Sequence, residues 1–186
     1  MSSLKNKTQV ITDETRLSYL HAFKPWANQP GQEEKYSACV IIPKTAKKTI
    51  AFITEAIENA TENGKTSKWG GKIPKNLHNP LRDGDEVADE KPELNGCWYL
   101  NANSTRRPGL INADRSEIFS EEDLKSGDYA KVHLSFYPYT ASGNNGIAVG
   151  LENIMKTRDG EALGGARMKA EDAFDGEWED EDGLLD

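Results

Sequence analysis

The stretch Asp128–Tyr139, DYAKVHLSFYPY, alternates with period two, as a half-buried β-strand does. Ala130, Val132, Leu134 and Phe136 point to one side and make an ordinary core face. Tyr129, Lys131, His133, Ser135, Tyr137 and Tyr139 point to the other. Rings with a cation among them, held flat on a sheet, suit stacked bases and a phosphate backbone. Strands also favour aromatic residues for packing, so the strand alone leaves open a face covered by a loop or a second subunit.

Working outward, ASGNNG (Ala141–Gly146) reads as a turn, and Ile147–Lys156 as a strand closing a hairpin, with Ile147, Val149, Leu151 and Met155 on one face. Upstream, Cys97–Asn103, CWYLNAN, places Trp98, Leu100 and Ala102 on a core face and Tyr99, Asn101 and Asn103 outside. Thr15–Phe23 reads as a first strand with Leu17, Tyr19, His21 and Phe23 together, and Lys24–Gly31, KPWANQPG, as a loop broken by prolines and glycine. Lys35–Ile42 is an apolar strand stopped by Pro43. Between these strands the period changes: Ile50, Ile53, Ala56, Ile57 and Ala60 predict a helix capped by Thr45 or Thr49, running to about Asn63, with Gly64 after it. Ser120–Leu124 reads as an N-capped helical turn.

The expectation is a mainly β fold: a five-stranded OB-fold-like barrel with one helix and long loops, since closure removes the sheet edges. An open α+β sandwich fits the same pattern. Of 186 residues 36% are apolar, and the mean hydropathy is −0.73, which predicts a modest core and a disordered end. No apolar leader opens the chain and no run approaches a membrane span, so a soluble cytoplasmic protein is expected. Cys39 and Cys97 lie in apolar strands without metal-ligand spacing, as buried free thiols do.

The net charge of −8 is unevenly spread. Residues 171–186 carry nine acids and no base, leaving residues 1–170 with 23 bases against 22 acids. Two parts follow: a binding domain over 1–170 and an acidic disordered tail over 171–186, where Phe174, Trp178, Leu184 and Leu185 interrupt the charge as docking motifs do. The tail can serve to recruit partners, or to occupy a basic groove until DNA displaces it.

Two further segments carry clustered cations, the first of them around a ring. GKTSKWGGKIPK (Gly64–Lys75) sets Lys68 and Lys72 around Trp69, and STRRPG (Ser104–Gly109) holds Arg106 and Arg107. Trp69 folded back on the body is the plain alternative. NPLRDGDEVADEKPELNG (Asn79–Gly96) is mostly acidic and reads as a poor phosphate binder.

Six segments together resemble a family of tailed-bacteriophage single-stranded DNA-binding proteins, first catalogued as a domain of unknown function. They are YSACVIIPK (Tyr36–Lys44), NPLRDGD (Asn79–Asp85), LNANSTRRPGLI (Leu100–Ile111), SGDYAKVHLSFYPY (Ser126–Tyr139), GIAVGLENIMKTRDGEALGG (Gly146–Gly165) and DAFD (Asp172–Asp175). In order they span most of residues 36–175; the first 30 residues and the lysine–tryptophan loop add little. The resemblance implies an OB-fold core that coats single strands during phage DNA replication and recombination, inside a bacterial host. On chemistry, the stacking candidates are Tyr137, Tyr139, Tyr99 and Trp69, and the phosphate candidates Lys131, Arg106, Arg107, Lys68 and Lys72, with Trp98 and Phe136 left in the core. Protein partners through the tail and a homodimer through the tail or an edge strand are further expectations.

An enzyme is not expected. No phosphate-binding loop, nucleophile elbow or HExxH helix occurs, and His21, His78 and His133 are scattered. RDGD (Arg82–Asp85) suggests a Mg²⁺-dependent nuclease only weakly, because Asp-Gly favours a tight turn. No cofactor is implied. An RNA-binding or strand-annealing module using the same face is the alternative, and an acidic DNA mimic is disfavoured by the clustered bases.

Overall fold

The computed structural model describes residues 3–5 and 7–163. The acidic tail and the glycine-rich link before it lie outside the described residues. Ten strands occur among the described residues: β1 (Ser3–Lys5), β2 (Gln9–Ile11), β3 (Thr15–Trp26), β4 (Lys35–Pro43), β5 (Leu77–His78), β6 (Arg82–Asp83), β7 (Cys97–Ser104), β8 (Gly109–Ile111), β9 (Tyr129–Ala141) and β10 (Asn144–Arg158). The one α-helix among the described residues, α1, spans Lys47–Ser67, and two 3-10 turns cover Gly84–Val87 and Pro92–Leu94.

The five long strands close on themselves in the order β3–β4–β7–β10–β9 and back to β3. This is the mainly β, OB-fold-like ring that the pattern predicted. Two seams are narrow: β3 meets β9 in register only at Thr15↔Ala130 and Arg16↔Tyr129, and β7 meets β10 in parallel at Gly150↔Asn103. The β9–β10 hairpin is tight, turning at Ser142 (φ 49°) and Gly143 (φ 79°), a two-residue turn whose positive φ angles match strand twist.

The core follows the predicted phase of β9: Ala130, Val132, Leu134 and Phe136 are all buried. Ala38, Val40 and Ile42 of β4, Leu100 and Ala102 of β7, and Ile147, Val149 and Leu151 of β10 meet them, while α1 lays Ile53, Ala56 and Ala60 against the same cluster. Trp98 is half-buried against it. A second, small cluster lies on the outer face of β4, where Cys39, Ile41 and Leu94 pack with Val87, Tyr99 and Leu163. That explains why β4 reads as continuously apolar: it is covered on both faces.

Several expectations need correction. The alternation of β3 breaks at Tyr19, a non-glycine residue with φ 46°, where the register with β4 shifts between Ser18 and His21. Leu17 is therefore buried while Tyr19 is 56% exposed, on the opposite side from the one shared phase implied. The same strand runs on through Trp26 rather than yielding to a loop at Lys24. Helix α1 continues to Ser67 with Gly64 inside it, and no side chain caps its start at Ala46; Gly64 is there because a Cβ would lie 2.6 Å from the Trp69 ring. On β10 a bulge after Leu151 turns Ile154 inward in place of Met155. Ser120–Leu124 is a turn, with the Glu122 N–H donating to Ser120 Oγ at 3.2 Å, rather than a helix.

Candidate nucleic-acid interface

Outward residues of β3, β4 and β7 form a groove of about 920 Å³. Tyr19, His21 and Trp26 line it from β3, Lys35 and Ser37 from β4, Asn101 and Asn103 from β7, and Lys91 from the loop beyond β6. A second cavity of about 490 Å³ shares Lys35, Asn101 and Asn103 with the first and continues past Arg82, His78, Tyr137 and Tyr139. The two make one elongated groove across the outer face of the ring, flanked by the β3–β4 and β9–β10 connections. In an OB-fold this face and these loops bind oligonucleotides.

Three of the exposed large apolar residues, Tyr19, Trp26 and Tyr137, lie in this groove. Solvent-facing rings in a concave surface are what base stacking requires. His21 and Trp26 are stacked, centroids 4.6 Å apart and 3° from parallel, so the indole is held as a platform before any ligand arrives. Burial lowers the affinity of His21 for protons, keeping it neutral in that stack. The Lys91 ammonium sits 5.0 Å over the Tyr19 ring. Lys35, Lys91 and Arg82 supply positive charge along the groove, with Glu33 the acid among its lining residues.

The sequence-based candidates divide. Tyr137 and Tyr139 line the groove. Tyr99 packs into the second apolar cluster. Trp69 is folded back, half-buried against the core, its Nε1–H donating to Thr140 Oγ1 at 3.2 Å on the reverse face of the β9 tip. Lys68 and Lys72 are exposed beside it, outside the groove lining. Lys131 lies six residues before Tyr137, about 20 Å along β9. Arg106 and Arg107 line a separate depression with Ser104, Gly109 and Asn153. Sequence reading missed Tyr19, Trp26, Lys35, Arg82 and Lys91 as groove residues. The available signal was Trp26, a tryptophan among prolines and glycine between the first two strands. Arg82 and Lys91 escaped because the acidic average of their segment concealed them. The two carboxylates of RDGD are taken up by Lys44, whose Nζ is 2.7 Å from both Asp83 and Asp85.

Cys39 borders the groove and is 5% exposed. Burial pushes its thiol up to about 11, with the Lys91 charge pulling down and Glu93 pushing up. At pH 8 about one Cys39 in a thousand is then a thiolate. The expected result with iodoacetamide at pH 8 is alkylation of half-buried Cys97 and sparing of Cys39, both reacting in urea; peptide mass spectrometry checks it.

Ring order, flanking loops and the ring-lined groove define an OB-fold protein of the oligonucleotide-binding type. The sequence profile of the family described as "Enterobacter phage Enc34, ssDNA-binding protein" matches residues 8–185, and this chain belongs to that family. A solved structure titled as the single-stranded DNA-binding protein from bacteriophage Enc34 in complex with ssDNA is similar, with TM-score 0.75 and 26% identity, covering 88% of this chain and 93% of that one. The protein designated p50 of Acyrthosiphon pisum secondary endosymbiont phage 1 is 28% identical over 177 residues, 90% of this chain and 92% of that protein. The single-stranded DNA-binding protein gp2.5 of bacteriophage T7 shares the fold, with TM-score 0.59 and 15% identity over 94% of this chain and 97% of that one. The family is one of binding proteins, in line with the expectation that this chain is not an enzyme. Among the described residues no helix is long and apolar enough to cross a membrane.

Proposed function

We propose that this chain coats single-stranded DNA with little sequence preference during phage DNA replication and recombination, holding the strand in the groove over β4 and β7. The observation that carries this is the single groove in which Tyr19, Trp26 and Tyr137 stand exposed beside Lys35, Lys91 and Arg82. Rings stack any base, and the cations neutralise phosphates and release counterions. A second reading, an RNA-binding or annealing module, uses the same surface and is separated by competition between DNA and RNA of equal length.

The acidic segment 171–186 acts as a separate part, lying in the groove when DNA is absent and docking replication or recombination proteins when DNA displaces it. Two features support this. Its nine acids complement the groove cations. The last described residue, Leu163, packs against the Cys39, Ile41 and Leu94 cluster, and Cys39 of that cluster borders the groove.

The test is anisotropy of labelled oligo-dT titrated with the full chain and with a chain ending at Ala170. Affinity should fall steeply with salt, by roughly 0.7 in log K per log salt for each phosphate contacted. The shorter chain should bind more tightly at low salt. No binding by either chain sinks the single-strand reading, and equal affinity at every salt sinks the competing tail.

A further inference from the structure

The groove does not end at Trp26. His21 and Trp26 also line a cavity of about 490 Å³ on the other side of β3, bounded by Phe23, Lys24, Glu121 and Lys125. From His21 onward β3 pairs in register only with β4, so this side of the strand is open. The Arg107 guanidinium lies 5.6 Å over the Phe23 ring, and Arg107 with Arg106 leads into the depression beside Asn153.

We infer that single-stranded DNA leaving the groove crosses the stacked His21–Trp26 pair and continues onto this second surface, where the Arg107 guanidinium over Phe23 meets a base and Lys24 and Arg106 meet phosphates. The inference rests on the proposed groove. Continuity is the argument: the same two rings form the wall of both cavities, so a strand stacked on Trp26 has its next nucleotide at the entrance of the second. Charge agrees at Lys24 and the arginines and opposes at Glu121 and at Glu152, which lines the arginine depression; Lys125 is held by Asp128 at 3.2 Å and adds little free charge. The arrangement also places Arg106 and Arg107, which do not line the groove, on the path of the ligand.

Oligonucleotide length separates the two surfaces. An oligo-dT of about five nucleotides is near the lower limit for one OB-fold and fits the groove alone, whereas ten reach further. In the full chain, Lys24→Ala with Arg107→Ala should leave five-nucleotide affinity within about twofold and lower ten-nucleotide affinity about tenfold, with a salt slope for the longer strand smaller by about 1. Glu121→Gln should raise affinity for the longer strand only. Unchanged ten-nucleotide binding, or equal loss at both lengths, overturns the second surface. Failure of the unaltered chain to bind the five-nucleotide strand overturns the groove itself, and this inference with it. All three side chains are surface groups, and an unchanged thermal midpoint shows that the variants fold.

Discussion

Trp26→Ala is expected to weaken oligo-dT binding by about 1–3 kcal/mol, roughly 5- to 150-fold, with Tyr137→Ala in the same range. Each ring is an exposed face in the groove, 48% and 44% accessible. Trp26 should lie toward the upper end because His21 already holds it flat, 4.6 Å away and 3° from parallel, so little side-chain entropy is lost when a base stacks. Tyr137 stands at the other half of the groove, where burial and the Glu152 charge raise its hydroxyl pKa and keep it neutral. The two losses should add, because the residues share no partner. Phe119→Ala is the control: at 77% it is the most exposed large apolar side chain among the described residues, yet it lines no part of the groove. Anisotropy of labelled oligo-dT measures the unaltered chain and each variant. A double variant that binds as tightly as the unaltered chain would place the stacking surface elsewhere.

The largest stability effect is expected at Asp128. Its side chain is fully buried beside the narrow β3–β9 seam. It accepts backbone N–H bonds from Lys125 and Gly160, each 3.0 Å, and faces Lys125 Nζ at 3.2 Å and Lys156 Nζ at 3.3 Å. Its carbonyl oxygen also accepts from Leu17 N–H at 2.9 Å, so the residue joins β3, β9 and the chain after β10. Asp128→Ala leaves two amides without their acceptor and removes one of the three oxygens around Lys156 Nζ, which keeps Asp159 and the Asp123 carbonyl, each at 2.6 Å. Leaving a buried donor without its acceptor costs about 1–3 kcal/mol, and here two amides lose theirs. A fall in the urea midpoint, followed by tryptophan fluorescence, measures it; Asp128→Asn should lose less because it keeps an acceptor for the amides.

The same group sets an acid limit. Burial pushes the Asp128 carboxyl upward, but the Gly160 and Lys125 amides, the Lys125 ammonium and the Lys156 charge outweigh it, and the net shift is down. A depressed carboxylate contributes stability that is fully present above the ordinary value of about 4 and is lost as pH falls through the folded value. The stability gap between the unaltered chain and Asp128→Asn should therefore be constant from pH 5 to 7 and narrow below about 4. A gap that persists undiminished in acid would mean that the buried carboxylate is not charged.

Some of this was readable residue by residue. The core face of β9 followed from period two, because side chains on a strand alternate sides wherever no extra residue intervenes. The helix followed from Ile53, Ala56 and Ala60, and the tight hairpin from the turn chemistry around Gly143. The order of the six resembling segments carried the family. Phase failed where a backbone irregularity intervened: the positive φ at Tyr19 and the bulge after Leu151 each move later residues to the other face.

What the sequence by itself determined was the five long strands, the inward face of most of them, and the separation of a near-neutral body from an acidic end. Those depend on local periodicity and on charge counts. Only the tertiary structure decided which outward residues share a groove. Trp26, Lys35, Lys91, Asn103 and Tyr137 are far apart along the chain and meet because the ring closes β3, β4, β7, β10 and β9 against one another. It also decided against Trp69 and Tyr99 as groove rings, since an aromatic side chain looks the same in sequence whether it packs under a loop or waits for a base.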